Sequence, residues 1–231
     1  MDTRGYPFRI LNWHEIVNDH IGDDFFTVTY CPLCGTAIVF ESEINGYVRN
    51  FGVSGMLFQN NLLMYDRETE SLWSQFMMQS VSGSMQKIRL KWKLSEQITW
   101  ATFKQKYPNG KLLSDDTGFS RRYDLDPYAD YFADDGPLYR TGNPVRDDLP
   151  ENEWVWGITV GEVAKAYPLE RLPSTKTVFD TVNGVELKLV LNLAARSVTV
   201  TVVSTGEPLD NGVGAFWFSW QDFFHDTLVF L

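Results

Sequence analysis

The stretch that decides the fold is Phe25-Phe26-Thr27-Val28-Thr29-Tyr30-Cys31-Pro32-Leu33-Cys34-Gly35-Thr36-Ala37-Ile38-Val39-Phe40. It begins and ends with runs of β-branched and aromatic residues, which predict two strands. Between these runs lie Cys31 and Cys34, the only two cysteines of the chain. Gly35 can adopt the positive φ that a tight turn requires. The stretch therefore predicts a β-hairpin whose tip carries all of the thiol chemistry of the protein.

Composition indicates a folded, acidic protein. Of the 231 residues, 44% are hydrophobic and 15% aromatic, and the net charge is −10. A chain of this size can bury a large core, and its negative charge argues against nucleic acid as a partner. No apolar stretch approaches the roughly 18 residues of a membrane-spanning helix, and no signal peptide precedes the first motif. We therefore expect no membrane span and a small molecule or a metal as partner. The chain as given is expected to be cytoplasmic, or exported if a leader was removed.

Two parts of the chain resemble each other in the same order. Tyr6-Pro7 is echoed by Tyr167-Pro168, and at the same spacing Asp19 corresponds to Asp180. The later matching segments are 22–30 with 184–191, and 99–103 with 219–223. This ordered set predicts two diverged halves that arose by internal duplication. Chance similarity between two β-rich segments is the alternative.

The two copies differ at chemically reactive positions. Residues that both copies share are explained by folding, so those found only in the first copy are candidates for function. The differing pairs, first copy before second, are Cys31 and Asn192, Cys34 and Ala195, His14 and Thr175, Glu15 and Lys176, and Asn18 and Phe179.

The secondary-structure pattern predicts a mainly β (α+β) fold with antiparallel, barrel-like sheets and few short helices, in a single domain over 1–231. Asn12 is predicted to cap a short helix that runs to about Asp19, and Thr99 to cap a second over about 100–107. The first half covers about 4–114, a connection about 115–153 and the second half about 154–231. The predicted strands are near 24–31, 35–42, 46–53, 60–66, 71–79, 84–92, 154–160, 186–193 and 197–204, and a last helix is predicted over 220–225.

The cysteine pair admits three interpretations. Two thiolates on one turn can bind a soft metal ion, zinc or copper, with His14 as the third ligand and Glu15 orienting that histidine. The same pair can be a thiol–disulfide oxidoreductase, although the β-branched residues after Cys34 argue against the helix that usually activates such a thiol. It can also be an inert turn in a non-catalytic interaction domain. Metal binding is the leading hypothesis.

A second group of polar residues lies between two later strands. Asp66, Trp73 and Gln75 are predicted to form a pocket wall, and Glu15 and Asn18 are further candidates for a pocket or for support of the metal ligands. Asp116-Thr117-Gly118 matches the aspartic-protease triplet, but that chemistry needs two such carboxylates, so we predict a turn there. No phosphate-binding glycine loop and no serine-hydrolase elbow occurs in the sequence.

Several of these motifs together resemble one family. They are His14-Glu15-Ile16-Val17-Asn18-Asp19, Thr29-Tyr30-Cys31-Pro32-Leu33-Cys34-Gly35-Thr36-Ala37, Val53-Ser54-Gly55, Met64-Tyr65-Asp66-Arg67-Glu68-Thr69-Glu70-Ser71-Leu72-Trp73-Ser74-Gln75, Asp116-Thr117-Gly118 and Lys165-Ala166-Tyr167-Pro168-Leu169. The chain resembles the prokaryotic family catalogued as domain of unknown function 3179, over nearly its whole length. The resemblance implies no established activity. It does imply that members often carry an export leader.

Overall fold

The computed structural model describes residues 2–133, 141–172, 177–192, 197–209 and 211–230. The fold is mainly β with several antiparallel sheets, which confirms the predicted class. None of the sheets in the described ranges closes into a barrel, so the barrel-like part of the prediction is wrong. Within the same ranges, no helix combines the length and the apolar composition needed to cross a bilayer. Ala195, Thr175 and Lys176 of the internal comparison lie outside the described residues.

The elements are short and joined by tight turns. The strands are β1 Arg4–Gly5, β2 Ile16–Ile21, β3 Asp24–Cys31, β4 Thr36–Glu41, β5 Glu43–Ile44, β6 Tyr47–Val48, β7 Phe51–Phe58, β8 Asn61–Asp66, β9 Leu72–Ser74, β10 Gln79–Ser82, β11 Lys111–Leu112, β12 Trp154–Val160, β13 Val163–Pro168, β14 Thr177–Val182, β15 Val185–Asn192, β16 Ser197–Val202, β17 Val213–Phe216 and β18 Leu228–Val229. The helices are α1 Phe8–His14, α2 Trp100–Lys106, α3 Ala129–Ala133 and α4 Trp217–Phe223, with a 3-10 turn at Leu169–Arg171.

The first helix does not lie where the sequence predicts it. Helix α1 begins after Pro7, whose φ of −64° suits a helix start, and it ends before Glu15, whose φ is +58°. Asn12 is therefore a buried residue within the helix and not its cap. The predicted continuation to Asp19 is wrong, because 16–21 forms β2 and pairs along its whole length with β3. Pairing with a neighbouring strand outweighs the local capping pattern.

The other predicted elements have mixed outcomes. Helix α2 is confirmed, and the side chain of Thr99 accepts a hydrogen bond from the backbone N–H of Thr102, as a cap does. Helix α4 begins at Trp217, three residues earlier than predicted. The segment 84–92 forms isolated bridges and no strand. The sequence-based prediction lacks β13, β14 and β17, as well as the short strands β1, β5, β11 and β18.

Two parts of the chain share one arrangement of strands. Strands β2, β3 and β4 form a three-stranded antiparallel sheet, and β14, β15 and β16 form another with corresponding register. Strand β1 pairs in parallel with β11, which follows helix α2, as β13 pairs in parallel with β18, which follows helix α4. An internal duplication predicts these matches, and common descent of the two halves stays a prediction.

The two corresponding sheets are covered differently. The last six residues of β3 are all buried, whereas buried and exposed residues alternate in β15. Alternation is typical of a strand with one face in water. In the first half, α1 packs on one face of β3, and the sheet β10-β9-β8-β7 lies towards the other. Cys31, at the end of β3, therefore enters the protein core.

Candidate functional site

The two cysteines occupy the turn between β3 and β4, as predicted. Cys31 is the last residue of β3, and its partner across the hairpin is Thr36, the first residue of β4. Cys31 and Cys34 form a disulfide with their Cα atoms 5.5 Å apart, and they are 1% and 0% exposed. Gly35 has a φ of +70°, which confirms the predicted role of this glycine. The tip of the hairpin is thus a closed ring buried in the core.

Two later parts of the chain hold the cysteine turn in place. The hydroxyl of Tyr131, in α3, donates to the carbonyl oxygen of Leu33 over 2.9 Å. The backbone N–H of Phe216, at the end of β17, donates to the carbonyl oxygen of Cys34 over 3.0 Å. Gly35 packs so closely on the ring of Trp154 that a Cβ atom at this position would lie 2.4 Å from it. The connection and the second half therefore both cover the turn.

A buried polar network reaches one of the two sulfur atoms. Asn61, the first residue of β8, donates its Nδ2 hydrogen to Cys34 Sγ over 3.4 Å and also donates to Gln75 Oε1 over 2.9 Å. Gln75 Nε2 in turn donates to Thr29 Oγ1 over 2.9 Å and to the carbonyl oxygen of Thr36 over 3.3 Å. Asn61, Gln75, Thr29 and Thr36 are each 0% exposed. Such groups are retained in a core only when their hydrogen bonds are made.

Sequence reasoning found one half of this network and missed the other. Gln75 was predicted as a pocket residue, and it lies directly behind the cysteine turn. Asn61 was not predicted. Its signal is present in the sequence, because an asparagine at the start of the apolar run Leu62-Leu63-Met64 must find a partner if the run is buried. The identity of that partner is a matter of tertiary structure.

His14 lies at the end of α1 and contacts the connection. Its Nε2 atom is 2.6 Å from the hydroxyl of Tyr123, which is itself 2.6 Å from Thr117 Oγ1 in the Asp-Thr-Gly triplet. Burial, and secondarily the positive charge of Arg121, lowers the pKa of His14. Within the part of the chain that the structure describes, no three His, Cys, Asp or Glu side chains are grouped as metal ligands. The geometry thus gives no support to His14 as a third ligand beside Cys31 and Cys34, and this assignment stays a prediction.

Glu15 contacts β3, the strand that ends in Cys31. Its carbonyl oxygen accepts a hydrogen bond from the backbone N–H of Tyr30 over 2.7 Å, one residue before Cys31. Burial raises the pKa of its carboxyl group. The residue therefore ends α1, and its carboxyl group is of reduced acidity. Its predicted role of orienting His14 stays a prediction.

Asp66 and Trp73 hold a turn. Trp73 Nε1 donates to Asp66 Oδ2 over 2.8 Å, and the backbone N–H of Thr69 donates to Asp66 Oδ1 over 2.7 Å. Both Asp66 and Trp73 are 0% exposed. These bonds shape the segment between β8 and β9, and the Trp73 ring packs in the same apolar core as the two cysteines. Their part in a pocket wall stays a prediction.

Asn18 connects two sheets. Its Oδ1 atom accepts from the backbone N–H of Phe51 over 2.8 Å, and its Nδ2 atom donates to the carbonyl oxygen of the same residue over 2.9 Å. The side chain thereby joins β2 to β7 in the manner of a backbone pair. Asn18 lies opposite Thr27 in the sheet, four residues along β3 from Cys31. The side chain of Asn18 thus has a structural role, which is to hold β2 against β7.

The arrangement at the turn allows one kind of chemistry. A disulfide can be opened by an incoming thiolate, which forms a new bond to one sulfur and releases the other as a thiolate. A hydrogen-bond donor at the released sulfur stabilises its negative charge. Asn61 supplies such a donor at Cys34. The site therefore has the parts needed for thiol–disulfide exchange.

Comparison with known proteins identifies the family. No curated protein and no solved structure matches the chain. One family model, described as "Protein of unknown function (DUF3179)", matches residues 1–208. This range includes the cysteine turn, Asn61, Gln75 and both three-stranded sheets. The chain therefore belongs to the DUF3179 family.

Proposed function

We propose that this protein is a thiol–disulfide redox protein in which Cys31 and Cys34 alternate between a disulfide and two thiols. The observation that carries the proposal is the hydrogen bond from Asn61 to Cys34 Sγ, made within a fully buried polar network. A purely structural disulfide needs no donor at its sulfur. A disulfide that opens to a thiolate gains from one.

The short ring also favours a chemical use over a stabilising one. A disulfide stabilises a protein mainly by restricting the unfolded chain, and the effect grows with the length of the closed loop. In the chain-entropy treatment, a ring of about four residues contributes roughly 2 kcal/mol, compared with about 4.7 kcal/mol for a loop of 100 residues. Only two residues separate Cys31 from Cys34. The disulfide between this pair therefore contributes little to the stability of the fold.

The proposed reaction is balanced as follows. A reductant with two thiols supplies two electrons and becomes a disulfide, while Cys31 and Cys34 take up these electrons and two protons and become thiols. The reverse reaction oxidises the pair and reduces a partner disulfide. Because both cysteines are buried, an incoming thiol gains access when the contacts of Tyr131 and Phe216 with the turn open.

The first test is a redox titration. The protein is equilibrated in glutathione buffers of graded potential and quenched with acid, and free thiols are alkylated and counted by mass spectrometry. We expect a reversible two-electron transition within about −120 to −270 mV, the range of known thiol oxidoreductases. A potential below about −300 mV, typical of structural disulfides, or failure to exchange in the folded state would overturn the proposal and favour an inert turn. The Cys31→Ser, Cys34→Ser double variant is the control for background alkylation.

The reduced form of the same protein distinguishes the metal hypothesis from a redox function without metal. Binding of zinc or copper by Cys31, Cys34 and His14 requires that both cysteines be reduced and that His14 leave Tyr123. Reduced protein is incubated with either metal, desalted and measured by elemental analysis. Redox function without a metal predicts less than stoichiometric retention. Stoichiometric metal that is lost in His14→Ala would instead favour the metal site.

A further inference from the structure

We propose that Asn61 makes Cys34 the leaving sulfur of the disulfide, so that an incoming thiolate attacks Cys31. The inference rests on the proposed redox function and deepens it, because it assigns different roles to the two cysteines. It begins from an asymmetry at the disulfide. Cys34 Sγ accepts a hydrogen bond from Asn61 Nδ2, while no polar donor contacts Cys31 Sγ among the described residues.

The orientation of the Asn61 amide is set by its neighbours. Its Oδ1 atom accepts from the backbone N–H of Phe76 over 3.0 Å, and a backbone N–H can only donate. The opposite end of the amide, which faces Cys34, must therefore be the NH₂ group. The second hydrogen of that group donates to Gln75 Oε1. The donor at the sulfur is thus fixed before the disulfide opens.

Gln75 is fixed in the same way. Its Nε2 atom donates to Thr29 Oγ1 and to the carbonyl oxygen of Thr36, which leaves Oε1 to accept from Asn61. Thr29 Oγ1 uses its own hydrogen on the carbonyl oxygen of Ile38 over 2.7 Å. In this series of hydrogen bonds, each N–H or O–H hydrogen therefore has its own acceptor. A preorganised donor stabilises a developing charge without first having to reorient.

The exchange step follows from this geometry. An incoming thiolate forms a bond to Cys31 Sγ, the bond between Cys31 and Cys34 breaks, and its electron pair stays on Cys34 Sγ. The N–H of Asn61 stabilises the resulting thiolate, and a leaving thiol of lower pKa leaves faster. Attack on Cys34 would instead release Cys31 without a donor. Asn61 is therefore a positioning residue that selects the direction of attack.

The primary experiment uses the unaltered protein. Oxidised protein is mixed with excess reduced glutathione and quenched with acid after graded times, because protonation stops the released thiolate from attacking the mixed disulfide. The free thiols are then alkylated with N-ethylmaleimide in mild acid, and peptide mapping shows where each group is attached. We expect glutathione on Cys31 and the maleimide on Cys34, in about tenfold excess over the reverse product at the earliest times. Equal amounts, or glutathione mainly on Cys34, would overturn the assignment and leave the redox function intact. No adduct in the folded protein would count against the redox function itself.

A second experiment measures the effect of the donor directly. In Cys31→Ser, the pKa of the Cys34 thiol is obtained from the pH dependence of its alkylation rate. Adding Asn61→Leu removes the N–H without placing a charge beside the sulfur, and we expect the pKa to rise by about one unit or more. Asn18→Leu is the control, because it makes the same exchange at an asparagine that bonds the backbone of Phe51 and not sulfur. A shift in Asn18→Leu as large as that in Asn61→Leu, or none in Asn61→Leu, would refute the role of Asn61.

Discussion

The hydroxyl of Tyr6 donates a hydrogen bond to Asp19 Oδ2 over 2.6 Å. The second half repeats this contact, with Tyr167 donating to Asp180 Oδ2 over 2.8 Å, and each pair is separated by 13 residues in sequence. A tyrosine that precedes each three-stranded sheet is thus bound to a carboxylate in the first strand of that sheet. These shared residues belong to folding, as the internal comparison of the sequence predicts.

Tyr6→Phe and Tyr167→Phe should each destabilise the protein. Each change removes a hydrogen bond to a charged acceptor and keeps the ring, so we expect a loss of about 1.5–3 kcal/mol in the free energy of unfolding. Urea unfolding measures this loss of stability. Tyr47→Phe is the control, since Tyr47 is 68% exposed and should change stability by less than about 0.5 kcal/mol. If Tyr6→Phe and Tyr167→Phe changed the free energy of unfolding as little as this control, the two hydrogen bonds would not stabilise the fold.

Asp19 should stabilise the fold above about pH 4. Burial alone would raise the pKa of this carboxyl, but hydrogen bonds from Arg4, Tyr6 and the backbone of His20 outweigh burial and lower it. A lowered pKa in the folded state adds stability that is complete above the unfolded value of about 3.9 and is lost as the pH falls through the folded value. The difference in unfolding free energy between wild type and Asp19→Asn should therefore be largest above pH 4 and shrink below it. A difference that stays constant from pH 3 to 7 would contradict this.

Glu15 should show the opposite pH dependence. Burial raises the pKa of its carboxyl, so the folded protein holds this proton to a higher pH than the unfolded chain does. The cost of the buried charge is absent below the unfolded pKa of about 4.3 and is complete above the folded pKa. Glu15→Gln should therefore unfold at higher urea concentration than wild type at pH 7, with the gain vanishing near pH 4. If the stability advantage of Glu15→Gln grew as the pH fell, the expected direction of this pH dependence would be wrong.

Asp66 should be essential for stability, unlike its neighbour Arg67. Asp66→Ala leaves the buried Nε1 hydrogen of Trp73 without its acceptor, and we expect a loss of about 3 kcal/mol or more. Arg67→Ala, in the same turn but at an exposed position, should cost less than about 0.5 kcal/mol. Thermal unfolding of the two variants gives the comparison. Equal losses would mean that the turn, and not the Asp66–Trp73 bond, sets the stability.

Gly35→Ala should be more damaging than Gly46→Ala. Both glycines have a positive φ, at +70° and +78°, so both substitutions carry a backbone cost of about 1–2 kcal/mol. Only at Gly35 would the new Cβ atom strike a ring, that of Trp154, while nothing lies within 4 Å at Gly46. We expect Gly35→Ala to lose at least about 1 kcal/mol more than Gly46→Ala in urea unfolding. The opposite order would show that the cysteine turn can move away from Trp154.

Local signals were sufficient for some elements and insufficient for others. The hairpin around Cys31 and Cys34 follows from its own residues, because strand-forming runs and a glycine turn act over short distances. The helix predicted to run from Asn12 to Asp19 is wrong, because 16–21 is drawn into a sheet by β3. The capping pattern at Asn12 and Glu15 was a true local preference that a longer-range interaction overrode.

The candidate site shows the same division. The sequence identified the cysteines and Gln75, and its comparison of the two halves singled out His14 and Glu15. It did not identify Asn61, whose partner Cys34 is 27 residues away in the chain. It also joined His14 to the cysteines, whereas the fold places its ring against Tyr123. Short motifs name reactive residues, but only packing decides which of them share a site.

The sequence alone determined the mainly β class, the cysteine hairpin, the turn glycine and the family, because each depends on residue types in short or fixed spacing. Tertiary structure decided that Cys31 and Cys34 are buried and bonded, that Asn61 donates to Cys34 and that His14 faces the connection. The last two contacts join residues that are distant in the chain. They form only when the sheets pack, because burial then makes each polar group find a partner.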